Sequence, residues 1–225
     1  LYQLISDAAK HTAVEFSYDS YGDVTQVHNF GEVSDSSDDT VALTDYASNT
    51  NAYLIGFQVQ SRLQGASGNT VRQSWTYYDG ATDWTTAPTK GNPTKSESWL
   101  AGGLNPTVTR AYDQYGNMTD EYDALWNANS GNQGNHIKVT FDGTWHQYPI
   151  QVSNAFDQTE NSTYDSVTGE LVAHTDVNGQ TTRSVYDAFG RVTKLIGPGD
   201  SEAYPTVTNS YNIFNLTRLF GKFFP

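Results

Sequence analysis

Along the chain, apolar and polar residues alternate in short runs, and no window of about fifteen residues carries the 3.6-residue period of an amphipathic helix. Ala13-Val14-Glu15-Phe16-Ser17-Tyr18, Gln58-Val59-Gln60-Ser61-Arg62-Leu63, Lys138-Val139-Thr140-Phe141 and Thr182-Arg183-Ser184-Val185-Tyr186 are examples, each four to six residues long. A period of two places successive side chains on opposite faces of a strand, and Thr, Val and Tyr suit that pleated surface. Clusters of Gly, Asn and Asp separate the runs. The pattern predicts an all-β chain of short antiparallel hairpins.

One unit recurs at the turns: Tyr-Asp-x-x-Gly-x-x-Thr. It is complete at Tyr18, Asp19, Gly22 and Thr25, again at Tyr112, Asp113, Gly116 and Thr119, and again at Tyr186, Asp187, Gly190 and Thr193. Tyr164-Asp165 is followed by Thr168-Gly169 with one extra turn residue, and shorter traces stand at Tyr78-Asp79-Gly80, Tyr122-Asp123 and Phe156-Asp157. The spacing is irregular, unlike that of a strict solenoid.

The unit has a mechanical reading. Asp at the first turn position accepts hydrogen bonds from backbone N–H groups beyond it, and Gly three residues later takes the left-handed conformation that a type I turn with a bulge requires. Gly22, Gly116 and Gly190 are therefore expected at positive φ. The Tyr ends the incoming strand and the Thr begins the outgoing one, where aromatic and β-branched side chains pair across strands. Asp176-Val177-Asn178-Gly179 is a turn signal of the same kind, and residues 34–39 and 127–135 have the composition of exposed loops.

Composition sharpens this picture. Leu, Ile, Val and Phe together make just under a fifth of the 225 residues, a share typical of disordered chains, yet 15 Tyr, 10 Phe and 5 Trp supply core material of an aromatic kind. The chain is expected to fold, with its five Trp filling the core. A net charge of −13 without a basic cluster argues against nucleic acid and anionic membrane as partners, and no apolar run is long enough to span a bilayer. Without Cys there is no thiol chemistry. The first ten residues lack signal-peptide order and the chain does not begin with Met, which reads as a fragment or processed product.

Candidate chemistry is sparse. Asp19, Asp113, Asp165 and Asp187 could serve a glycosidase as paired carboxyls, but turn closure accounts for each of them. The five His show no metal-ligand spacing, Asp35, Asp38 and Asp39 lack the order of a calcium loop, and no nucleophile elbow or phosphate loop is present. The expectation is a non-enzymatic chain without cofactor or metal. Asn117-Met118-Thr119, Asn161-Ser162-Thr163 and Asn215-Leu216-Thr217 fit the N-glycosylation pattern, which arises easily in an Asn/Thr-rich chain. Residues 206–225 contain no acid and end in Phe220-Gly221-Lys222-Phe223-Phe224-Pro225. They are expected to form an atypical aromatic and basic tail after a strip covering residues 1–205.

Tyr-Asp units of this form resemble the YD-repeat, or Rhs, family. The likeness extends to Tyr77-Tyr78-Asp79-Gly80, Thr94 to Leu100 with Trp99, Trp145-His146-Gln147-Tyr148-Pro149-Ile150, Asn178-Gly179-Gln180-Thr181-Thr182 and Gly197 to Pro205, which are similar to the Rhs segments of toxin-complex B-subunit and SpvB-like proteins. The resemblance implies a curved or spiralling antiparallel sheet whose hairpins pair into a shell around a toxin or other polypeptide, outside the cell or at its surface. The partners it implies are other segments of the same shell or the enclosed polypeptide, with self-association through open sheet edges a further option. The self-cleaving boundary of bacterial members is not found here, and 225 residues would make only part of a shell. An extracellular adhesion or carbohydrate-binding module that uses exposed Trp and Tyr is the alternative.

Overall fold

The computed structural model describes residues 2–6, 11–129 and 134–211. Two compact units divide the chain, residues 1–139 and 140–225. The first holds β1 (Tyr2–Ser6), β2 (His11–Tyr18), β3 (Val24–Glu32), β4 (Thr40–Asn49), β5 (Leu54–Gly65), β6 (Thr70–Tyr78), β7 (Pro93–Ser98), β8 (Thr107–Tyr112) and β9 (Met118–Tyr122). A short helix α1 (Ala124–Ala128) follows, then β10 (His136–Phe141), whose last two residues belong to the second unit. The second continues with β11 (Pro149–Ser153), β12 (Thr159–Tyr164), β13 (Leu171–Thr175), β14 (Thr181–Tyr186), β15 (Val192–Ile196) and β16 (Val207–Thr208).

Within each unit every strand pairs antiparallel with its neighbours in sequence. In the first, β1 to β10 form an unbroken meander. In the second, β11 to β16 do the same. The fold is the all-β hairpin strip that the alternation predicts. Where the connection is short, as over residues 19–23, 113–117, 176–180 and 187–191, it can only return the chain beside itself, and the longer loops over residues 79–92 and 123–135 also return to the neighbouring strand.

Neither unit has a thick core. Among the described residues, only Ala13, Ala47, Val59, Gln60, Tyr77, Pro88 and Ile196 are buried. Gln60 is satisfied when its amide nitrogen faces Asp45 Oδ2 at 2.9 Å and its oxygen faces Gln73 Nε2 at 3.0 Å and Trp75 Nε1 at 2.7 Å. Pro88 is buried by a loop that folds back, its carbonyl accepting from Asn49 Nδ2 at 2.9 Å.

The expectation that all five Trp fill a core does not hold. Trp145 is 59% exposed and Trp99 39%, while Trp75, Trp84 and Trp126 are only half-buried. A meander without a second packed layer leaves side chains on both faces in contact with water, so even large aromatics keep an open side.

Strand β16 places residues 207 and 208 in the sheet beside β15. Most of the predicted tail, from residue 212 onward, lies outside the described residues, as do Asn215-Leu216-Thr217 and part of the loop 127–135.

Candidate functional site

The turns that carry the repeat share one closing pattern. The backbone N–H of Asp19 donates to Asp23 O at 2.9 Å, that of Asp113 to Asn117 O at 2.9 Å, and that of Asp187 to Arg191 O at 3.0 Å. Each carboxylate then caps its own turn. Asp19 Oδ1 accepts from the N–H of Tyr21 and Asp23, Asp113 Oδ1 from Tyr115 and Asn117, and Asp187 Oδ1 from Phe189 and Arg191, all between 2.8 and 3.1 Å. Gly22, Gly116 and Gly190 lie at φ 92°, 89° and 72°. A side chain there would be strained by the backbone alone, because little or nothing stands where a Cβ of Gly22 or Gly116 would sit.

Longer loops close the same way. Asp165 N–H donates to Glu170 O at 2.8 Å across the turn with the extra residue, where Gly169 has φ 78°. Asp142 N–H donates to Tyr148 O at 2.9 Å and Asp79 N–H to Asn92 O at 2.8 Å, so loops of quite different length hang from one kind of bond. Asp142 accepts from the N–H groups of Thr144, Trp145, Gln147 and Tyr148, and Asp79 from those of Thr89, Lys90, Gly91 and Asn92. Partial burial pushes the Asp79 carboxyl up, but these four backbone donors outweigh it and hold its pKa at about 2. Asp142 is depressed in the same way, and Asp165 is depressed by the N–H groups of Thr168 and Val167.

The tyrosine has a separate task. The hydroxyl of Tyr46 donates to Val24 O at 3.1 Å, Tyr78 to Gln58 O at 3.0 Å, Tyr112 to Pro93 O at 3.3 Å and Tyr186 to Leu171 O at 2.8 Å. In every case the acceptor is the strand partner of the tyrosine two strands earlier: Val24 pairs with Tyr18, Gln58 with Tyr46, Pro93 with Tyr78 and Leu171 with Tyr164. The ladder shifts register at Tyr18, Tyr46, Tyr78, Tyr112, Tyr164 and Tyr186. A bulge interrupts the ladder and leaves a carbonyl short of a donor, which the next tyrosine supplies. Tyr46, Tyr78, Tyr112 and Tyr186 thus latch their hairpins to the ones before. Burial raises the hydroxyl pKa of Tyr46, Tyr78 and Tyr112, keeping them protonated and able to donate.

All of these tyrosines stand at or near the ends of even-numbered strands, so within each unit they line one rim of the meander. The threonines of the unit follow on the outgoing strands. Thr193 Oγ1 donates to Val185 O at 3.1 Å, and Thr94 repeats that contact on Tyr77 O at 3.3 Å; Thr25 and Thr119 are half-buried at the second positions of β3 and β9.

Two traces of the repeat are not copies of it. Asp157 sits in the left-handed position, φ 57°, of a turn that Asn154 opens, so Phe156-Asp157 corresponds to the end of a unit and not to its start. Tyr122-Asp123 lies on the opposite rim and is not latched. Sequence reading missed Tyr46, because no Asp follows it, and missed Asp142, because Phe141 precedes it. For Asp142 the signal was the chain Phe-Asp before a Gly-Thr-Trp loop; for Tyr46 only the register reveals it.

Catalytic chemistry finds little support. A groove of about 500 Å³ in the second unit is lined by Asp142, Trp145, Tyr148, Asn161, Thr163 and Asp165 among others. Both carboxyls are occupied by backbone donors and held ionised, which leaves neither as a proton donor near neutrality. Tyr148 and Tyr164 stack at 5.0 Å beside it. Among the described residues no group of three or more His, Cys, Asp or Glu is placed to hold a metal ion, and no helix is long and apolar enough to cross a membrane.

Fold and rim together define the class: open antiparallel strips of bulged hairpins, mostly opening on Tyr-Asp, with four tyrosines latching a hairpin to its predecessor. Residues 164–202, which run from the last residue of β12 through β13, β14 and β15, match the RHS repeat. The chain is thereby similar to the YD-repeat, or Rhs, proteins whose turn unit it carries. Its fold is also that of three crystal structures of TcdB2-TccC3. That without the hypervariable C-terminal region aligns over 100% of this chain with a TM-score of 0.65 at 13% identity, and those of TcdB2-TccC3 and TcdB2-TccC3-Cdc42 over 93% and 94%, each with a TM-score of 0.63. The chain spans about 15% of the length of those structures. No curated protein matches its sequence.

Proposed function

We propose that this chain is a wall segment of an Rhs shell, non-catalytic in itself, that helps enclose or display a toxin or other polypeptide in a secreted or cell-surface protein. The observation that carries the reading is the latched tyrosine row. It joins hairpin to hairpin, and the turn carboxylates beside it are taken up by backbone N–H groups, which supports a structural task for the repeat. The likeness in fold to TcdB2-TccC3 supports the same role. Its partners are then other strands of the same wall and the polypeptide behind it.

Limited proteolysis of the complete polypeptide encoded with this chain tests the reading. An enclosed segment resists cleavage until the strip is opened, for instance by Gly116→Val, and is cut rapidly afterwards. Equal cleavage of that segment in the parent and the opened variant would overturn enclosure.

A second reading has one observation in its favour. Trp145, 59% exposed, lines the groove of about 500 Å³ together with Asn161 and Thr163, an apolar ring and polar groups of the kind that holds a sugar. Binding on a glycan array that Trp145→Ala abolishes would establish it; an array without hits removes it.

A further inference from the structure

We propose that Asn178 is a self-modifying site. When the turn over residues 176–180 opens, the Gly179 nitrogen closes on the Asn178 side chain, and the amide is converted without an enzyme to an aspartate or isoaspartate linkage.

Asn178 is the one Asn that precedes Gly in the sequence. Asparagine is a thermolabile residue, and a following glycine, without a Cβ, is the least hindered backbone to attack it. Both residues are exposed on the turn that joins β13 to β14, with Gly179 at φ 76° and nothing within 4 Å of where its Cβ would sit. A ring formed there meets only solvent. Gly179 N attacks Asn178 Cγ, the bond from Cγ to the amide nitrogen breaks, and ammonia leaves carrying the proton of the Gly179 N–H. The product is a cyclic succinimide. Water then opens it at one of its two carbonyls. Attack at the former side-chain carbonyl gives aspartate; attack at the main-chain carbonyl gives isoaspartate and adds a methylene to the backbone.

The turn is the brake on this reaction. Gly179 N–H donates to Asp176 O at 3.0 Å, and Asp176 N–H closes on Gln180 O at 3.0 Å. Asp176 Oδ1 accepts from the N–H groups of Asn178 at 2.9 Å and Gln180 at 2.8 Å, which holds the backbone on both sides of the reacting pair. The hydroxyls of Thr175 and Thr181 meet at 2.8 Å across the base of the hairpin. While these bonds last the attacking nitrogen is engaged elsewhere, so conversion follows local opening. Asp176 acts here as a positioning residue.

Two related dipeptides are closed to the same chemistry. Asp79-Gly80 and Asp142-Gly143 can cyclise only through a neutral carboxyl, because a carboxylate has no group to lose. Four backbone N–H groups hold each of these carboxyls ionised, and Gly80 N–H is itself taken by Thr94 Oγ1 at 2.9 Å. The Asn178 amide is uncharged and carries its leaving group at neutral pH. Its conversion is also one-way: an added methylene shifts Gln180 N–H away from Asn178 N–H, so the two no longer converge on Asp176 Oδ1, and a new carboxylate stands two residues from the old one.

Peptide mapping by mass spectrometry with isoaspartate detection tests the proposal, on the full chain held folded and on the same chain in concentrated urea. Residue 178 is expected to convert in the folded chain roughly 10- to 100-fold more slowly than in urea. Asp176→Ala is expected to speed conversion of the folded chain at least about 5-fold. Asp176→Asn keeps an acceptor oxygen and should stay within about 2-fold of the parent. Should Asp176→Ala not fold, hydrogen exchange of the Gly179 amide in the parent gives the same comparison, rising together with conversion as urea is added below the unfolding transition. Conversion as fast in the folded chain as in urea would remove the brake, and conversion slower than the expected range would remove the site. Faster reaction at Asp79 or Asp142 than at Asn178, or a rate at Asn178 that neither Asp176→Ala nor Gly179 exchange tracks, would also overturn the proposal.

Discussion

The dipeptide Tyr-Asp stands at both ends of β9, as Tyr112-Asp113 just before it and Tyr122-Asp123 at its close, and the two behave differently. Tyr112 sits at a bulge and donates across to the preceding hairpin. Tyr122 has no register shift against His136; its hydroxyl turns back to Asp120 of its own strand at 3.4 Å, and its ring stacks on the His136 ring at 4.2 Å. Both aspartates cap the backbone on their C-terminal side, Asp113 a four-residue turn and Asp123 the helix α1, through Trp126 N–H at 2.7 Å. Asp therefore sets how the chain turns, whichever rim it is on. Tyr joins hairpins only on the rim where a bulge leaves a carbonyl within reach.

Acid is expected to give the largest effect on this contrast. In the first unit the carboxyls of Asp79 and Asp113 on the latched rim and of Asp35 and Asp123 on the other, and in the second those of Asp142, Asp165 and Asp187 on its latched rim and of Asp176 on its other, are all held below their ordinary pKa. A depressed folded-state pKa contributes stability that is complete above the unfolded value, roughly 3.9, and is lost as pH falls through the folded value, about 2 for Asp79. Stability from these groups should be level above roughly pH 5 and should collapse between about pH 4 and pH 2. Hydrogen exchange at about pH 3 should show the Asp79 loop among the last to open, because its carboxyl is protonated late; loss of that loop first would contradict the capping account.

Next comes the turn glycine. Gly116→Val is expected to cost roughly 1–3 kcal/mol in a urea melt through backbone strain alone, since the nearest atom to an added Cβ is Asn92 Oδ1 at 3.9 Å. An unchanged midpoint would remove the turn assignment.

A smaller effect separates the two tyrosines directly. Tyr112→Phe or Tyr186→Phe should lose about 0.5–1.5 kcal/mol with the latch bond, whereas Tyr122→Phe should stay within about 0.5 kcal/mol. Equal losses at Tyr112 and Tyr122 would erase the difference between rims. The smallest effect belongs to the turn tips. Phe189 is 72% exposed, and Phe189→Ser should shift stability by no more than about 0.5 kcal/mol; a large loss would place a partner surface there.

Much of the fold could be read in the residues. Alternation in Thr182 to Tyr186 and its like gave strands, and Asp followed by Gly three residues on gave turns, because both signals are local: a pleat has period two and only a few residues accept positive φ. Phe156-Asp157 misled because composition matched while the frame was shifted, with Asp157 in the place of the unit's Gly. Trp145 and Trp99 misled because burial depends on whether a second layer exists, which no local pattern records.

The sequence by itself determined where many of the strands run and where the short hairpins reverse, since the period of two is local and the Asp of a short turn caps N–H groups within four residues. Only the tertiary structure decided which tyrosines latch. That choice depends on a carbonyl exposed by a bulge two strands away, at a register offset of one residue. Tyr46 lacks the motif and latches, Tyr122 has the motif and does not, and the difference lies in the pairing of strands and not in either residue's neighbours.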